Sequence, residues 1–153
     1  MEYINNDTIK GRYLSFFLGK EMYAAPIENI WEVNAMIDYT EVPQTAPFVK
    51  GVLNLRGKVI PVIDLCCKLN LAPTSFNRYT CIVVMQAHTR QIGVIIDSVD
   101  SVIELAKDHI KSNNSLGEEK EMKFISGMGN IEGKSLIILN IENILSDEEL
   151  LIK

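Results

Sequence analysis

Residues 54–65 read NLRGKVIPVIDL, an Arg-Gly pair followed at once by VIPVI, residues 59–63, in which no polar residue alternates with the apolar ones. A strand with one wet face alternates; an unbroken apolar run is a strand covered on both faces. The same signature recurs in CIVVM (81–85), VII (94–96) and LIIL (136–139). Parallel βα units would cover both faces, but too few helical stretches separate these runs. The remaining solution is a pair of small antiparallel barrels or sandwiches. In these, one strand face fills its own interior and the other packs on the neighbouring unit. Barrels of roughly 65 residues are marginal alone. Pressed together along an apolar seam, they share a core.

Outward from this stretch, turn signals recur along the chain. YLSFFL (13–18), Gly19-Lys20 and the strand resuming at Met22 predict a hairpin. Pro26 is suited to open a short helix with Ile27, Ile30 and Trp31 on one face. Val33 to Val42 reads as extended. Pro61 lacks an amide donor, which predicts an edge strand or a bulge. Asp64 is placed to cap a short helix carrying Leu65 and Leu69. Residues 72–79 read as a connection. Beyond it, TCIVVMQA and QIGVIID flank a turn at 88–90, SVDSVIEL follows, and a last hairpin turns near Asn130–Gly133. A closing helix starts near Asn140.

The 153 residues, 47% hydrophobic and 23% charged, with mean hydropathy +0.10, have a globular composition. A net charge of −5 disfavours a phosphate-backbone binder. No run approaches the ~20 apolar residues of a membrane span. Cys66 and Cys67 are adjacent and Cys81 sits in an apolar run, which fits neither a disulfide frame nor a zinc site. These features predict a soluble cytoplasmic protein.

YLSFFLGKEMYAAPIENIWEV, PFVKGVLNLRGKVIPVIDL, IGVIIDSVDSVIEL and ISGMGNIEGKSLIILNIENIL occur here in that order. On these residues the sequence resembles the CheW chemotaxis coupling family across about Tyr13 to Leu150, with GVxNLRGxVxPVxDL the most specific piece. The resemblance implies a mostly β fold of two SH3-like five-stranded antiparallel barrels side by side, with short helices and a C-terminal helix. It divides the domain (13–150) into a first barrel over about 20–71, a second over about 72–139 and a closing helix over 140–151, behind a flexible N-terminus (1–12). It implies no catalysis, no cofactor and no metal. The role it implies is an adaptor, monomeric outside the signalling array, that couples the helical hairpin at chemoreceptor cytoplasmic tips to the regulatory domain of the histidine kinase CheA. Such a protein is recruited from the cytoplasm to membrane-associated arrays.

The same resemblance places Ile30, Gly51, Arg56, Cys81, Gly93, Val102 and Gly127 in receptor binding, along the groove where the barrels meet. It also pairs Glu32 with Arg56 as a brace of the barrel junction. The residues taken alone leave other readings open. Arg56 is equally a solvated turn residue, the glycines serve turns or bulges, and Ile30, Cys81 and Val102 suit plain core packing. The kinase contacts are expected around residues 80–104.

His88 and His109 stand apart from any metal-ligand spacing, and the acids at 118, 119 and 121 read as a solvated loop. No phosphate-binding or nucleophile-elbow motif occurs; GMGNIEG has the wrong spacing and precedes a strand. Two other readings differ from the adaptor of chemotaxis. One is a CheW-like scaffold of another receptor–kinase pathway, such as surface motility. The other is a small β-barrel enzyme or nucleic-acid binder, which the acidic charge and the missing acid–base constellation disfavour.

Overall fold

The two faces of one hairpin show how the chain is built. Strand β6 (Cys81–Ala87) and strand β7 (Arg90–Ile96) are buried almost throughout. Val83, Met85, Ala87, Ile92, Val94 and Ile96 face one apolar core, while Ile82, Val84 and Ile95 face another. Period-two geometry forces this division, because successive side chains leave a strand on opposite sides. Each fully buried aliphatic side chain stabilises the fold by about 1.5–3 kcal/mol.

The computed structural model describes residues 10–43, 46–112 and 123–146. Besides β6 and β7, its strands are β1 (Lys10–Leu18), β2 (Glu21–Pro26), β3 (Ile30–Ala35), β4 (Val49–Leu55), β5 (Lys58–Asp64), β8 (Ser98–Ala106), β9 (Ile110–Ser112), β10 (Ile125–Ile131) and β11 (Lys134–Leu139). Helix α1 is Leu65–Lys68 and helix α2 is Ile141–Leu145, capped by the side chains of Asp64 and Asn140 respectively. The expected flexible N-terminus falls largely, the acids at 118–121 wholly, and the last turn of the closing helix wholly outside the described residues.

The strands form two SH3-like barrels. One sheet has the order β8-β1-β2-β11-β10-β9, the other β3-β6-β7-β5-β4. Leu53, Ile60, Val62, Ile82, Val84 and Ile95 fill the five-stranded unit; Ala24, Leu105, Leu136 and Ile138 fill the six-stranded one. Between them lies the largest core. Leu14, Phe16 and Leu18 of β1 and Tyr23 and Ala25 of β2 meet the outer faces of β6 and β7 there, and α2 seals it with Ile141, Ile144 and Leu145.

Several local expectations are corrected. The barrels are not successive halves of the chain divided near residue 72: residues 30–96 build one sheet, and both ends of the chain build the other. Two parallel ladders stitch early strands to late ones, Tyr23–Ala24 with Ile137–Ile138 and Val62–Asp64 with Gly93–Ile95, so neither sheet is wholly antiparallel. Strand β5 is interior, not an edge. Pro61 is tolerated because the ladder to β7 begins one residue later, at Val62. Pro26 ends β2 rather than opening an amphipathic helix. A single 3-10 turn (Ile27–Asn29) follows, and Trp31 belongs to β3 with 58% of its surface exposed. The extended segment after Val33 leaves regular pairing at Ala35 and is bridged to the sheet again at Thr40, opposite Val52.

Candidate functional site

Arg56 and Gly57 are the two central residues of the β4–β5 hairpin, with φ of 52° and 82°. Positive φ at both positions defines a type I′ turn, which Asn-Gly or Gly-Gly occupies most readily. Arginine costs backbone strain there, so its presence is explained by its side chain. Asn54 Oδ1 accepts a bond from the Gly57 amide at 3.1 Å and supports the turn. The guanidinium forms a fork on Glu32, Nη1 to Oε1 at 2.7 Å and Nη2 to Oε2 at 3.1 Å.

Glu32 lies on β3, one edge of the five-stranded sheet, and Arg56 follows β4, the other edge. The pair therefore fastens the two edges of one barrel and does not brace the junction between barrels. The bond from Arg56 holds the Glu32 carboxyl below its ordinary range, and Glu32 holds the guanidinium above its own. A depressed carboxylate contributes stability above its unfolded pKa and loses it as pH falls through the folded value. In an NMR titration, Arg56→Ala is expected to move the Glu32 midpoint upward toward the ordinary range; an unmoved midpoint removes the pair as its cause. The Arg56 side chain stays 69% exposed, leaving donors free for a further acceptor.

A β-bulge at Trp31 decides what β3 presents. Ile30 lies opposite Met85, Val33 opposite Val83 and Ala35 opposite Cys81. Directly opposed residues share a sheet face, so these β3 residues point toward the shared core. Ile30 and Cys81 are half-buried against that core, whereas Val33 is 45% exposed and Ala35 is exposed. On the other barrel, Val102 of edge strand β8 lies opposite buried Leu14 and is 50% exposed. The two edge strands β3 and β8 thus each carry apolar side chains on the seam-facing side that the fold leaves uncovered. The resemblance named Ile30, Cys81 and Val102 for this side; it did not name Val33 and Ala35, which the bulge brings to the same face.

The glycines have internal reasons. A Cβ on Gly51 would overlap the Thr40 carbonyl, and one on Gly127 the Lys111 carbonyl. Both glycines are buried at register shifts where the chain crosses its own backbone. Gly93 is buried among Ile82 and Val62 inside the five-stranded barrel. The close approach that these three permit is by this chain itself, and their place in receptor binding is carried by the resemblance alone.

At the end of the seam where Ile96 passes to Ser98, a cavity of about 590 Å³ lies between the Leu18–Tyr23 hairpin turn and the 71–79 connection. Asp64 organises that connection, accepting from the Cys66 amide at 3.0 Å and from the Thr74 amide and hydroxyl at 3.1 and 3.0 Å. Cys66 lines the cavity with its thiol 3.7 Å from Asp97 Oδ1. Burial pushes that thiol up to about 11, which makes it a poor nucleophile. His88 and His109 are exposed, and no group of three or more His, Cys, Asp or Glu among the described residues is arranged to hold a metal ion.

A model of the CheW-like domain matches residues 12–149. Chemotaxis protein CheW of Klebsiella aerogenes is 31% identical over 144 residues, spanning 94% of this chain and 87% of that protein. Its counterpart from Helicobacter pylori is 33% identical over 138 residues, spanning 90% and 82%. The crystal structure of the scaffolding protein TtCheW from Thermoanaerobacter tengcongensis superposes with a TM-score of 0.85 at 25% identity, covering 94% of this chain and 99% of that one. Two barrels sharing one seam, matched end to end by these relatives, place the chain in the CheW-like domain family.

Proposed function

We propose that this protein is a non-enzymatic scaffold of chemotaxis signalling, coupling the cytoplasmic tips of chemoreceptors to the histidine kinase CheA. The observation that carries the reading is the CheW-like match over residues 12–149, which takes in both barrels. No helix among the described residues is long and apolar enough to cross a membrane, and in this reading membrane-associated receptors recruit the protein from the cytoplasm. The receptor hairpin lies along the seam rim, using Ile30, Val33, Cys81 and Val102 as an apolar track, with the guanidinium of Arg56 offered to a carboxylate on the receptor. Helix-in-groove recognition uses such spaced apolar anchors.

Control of the kinase is then positional. The adaptor holds receptor and kinase at a fixed spacing, so a receptor shift that favours one kinase arrangement changes its population. Individual contacts are modest, and multivalent assembly in an array supplies strength.

The test uses a receptor cytoplasmic fragment and a CheA regulatory domain, each immobilised in turn. Wild type is expected on both, whereas Arg56→Glu loses capture on the receptor fragment and keeps it on CheA. Wild type binding neither partner overturns the adaptor reading; Arg56→Glu binding the receptor normally removes Arg56 from that surface.

A further inference from the structure

Lys68, the last residue of α1, is a buried lysine with 7% of its surface exposed. Its Nζ lies 4.1 Å from the centroid of the Phe48 ring and 4.6 Å from that of Phe124. An ammonium over an aromatic face is attracted by the ring quadrupole, most strongly where water is excluded. The two rings belong to different barrels. Phe48 leads into β4, and its carbonyl accepts from the Asp64 amide at 2.8 Å, which fixes it to the five-stranded sheet. Phe124 leads into β10, and its carbonyl accepts from the Asn140 amide at 2.8 Å, which fixes it to the end of β11. Asn143 Nδ2 donates to the neighbouring Lys123 carbonyl at 2.7 Å.

A second fastening joins the barrels. Helix α2, which continues from the six-stranded sheet, buries Ile144 and Leu145 in the shared core, and Arg90 Nη1 at the start of β7 donates to the Leu145 carbonyl at 2.7 Å. In contrast, the seam-facing residues Val33 and Val102 on edge strands β3 and β8 are half exposed. Attachment of the barrels is therefore uneven.

We propose that Lys68 is a positioning residue that pins the two barrels to each other through Phe48 and Phe124, setting the angle between them and with it the width of the opening between β3 and β8. Rigid-body rotation of packed units about their interface is an established mode of rearrangement. Arginine preserves the device, because a guanidinium stacks on aromatic faces; methionine fills the space without the charge.

The experiment places nitroxide labels on the exposed positions Lys58→Cys and Lys134→Cys, one per barrel, with Cys67→Ser and Cys81→Ser as background and Cys66 left buried. Pulsed dipolar spectroscopy reads the distance distribution, and urea unfolding confirms the folded state. Lys68→Met is expected to shift or broaden the distribution in folded protein, while Lys68→Arg reproduces the parent distribution. Folded Lys68→Met with an unchanged distribution overturns the proposal. Phe124→Leu, which keeps the amine and removes one ring, is the second variant should Lys68→Met fail to fold. It is expected to shift the distribution likewise, and an unchanged distribution in it also overturns the proposal.

Discussion

Gly51→Ala is expected to cost about 2–4 kcal/mol in urea unfolding. The built Cβ overlaps the Thr40 carbonyl oxygen and lies 2.7 Å from its carbon. Those are backbone atoms held by reciprocal bonds, Thr40 amide to Val52 carbonyl at 2.9 Å and Val52 amide to Thr40 carbonyl at 2.8 Å. No side-chain rotation relieves the overlap, so the bridge must break, and the segment after β3 loses its hold on β4. Gly127→Ala is expected to behave alike, against the Lys111 carbonyl. Gly93→Ala supplies the contrast. Its nearest neighbours are the methyl groups of Ile82 at 3.3 Å and Val62 at 3.5 Å, which yield by small shifts. A loss of about 1 kcal/mol or less is expected there. Were Gly51→Ala to unfold like wild type and yet fail to bind a receptor fragment, the glycine would serve a partner and the internal account would be wrong.

The second large effect is on binding. Val33→Asp and Val102→Asp put carboxylates on the seam-facing sides of β3 and β8, where both valines are about half exposed, 45% and 50%. Because neither valine fills a core, unfolding midpoints should stay close to wild type. If a receptor hairpin lies along this rim, each charge is desolvated on binding without a partner. Loss of an interface anchor costs ~2 kcal/mol or more, which is roughly a 30-fold weaker Kd. Titration of a labelled receptor fragment measures it, with capture on the CheA regulatory domain as the control. Full receptor affinity in both variants would place the receptor elsewhere. Ile30 is a less clean test, since it packs against the shared core and its replacement also costs stability.

Much of the fold was legible because its determinants are local. The turn at Arg56-Gly57, the Asp64 cap, the helix start near Asn140 and the β6–β7 and β10–β11 hairpins each depend on a few adjacent residues. The Glu32–Arg56 pair was named from the family resemblance, and its bidentate geometry is met; its location was not, because which strands form the sheet edges is a property of the pairing order. Trp31 shows the limit at short range. A bulge there rotates the face that Val33 and Ala35 present, and no composition signal marks it. Lys68 shows the limit at long range: nothing beside it in the chain marks it for burial, and only folding brings the Phe48 and Phe124 rings against its ammonium.

Unbroken apolar runs at 59–63, 81–85, 94–96 and 136–139 pointed by themselves to strands covered on both faces, and hence to two rolled sheets sharing a core, because burial of both faces is written in side-chain chemistry residue by residue; Val59, 63% exposed at the start of its run, departs from the pattern. Only the tertiary structure decided which strands belong to which barrel, where the seam stays open, and that Gly51, Gly93 and Gly127 yield space to the chain itself. Those outcomes rest on parallel pairings such as Tyr23 with Ile137 and Val62 with Gly93. Contacts between residues so far apart in the chain are chosen by the packing of the whole, and no neighbouring residue records the choice.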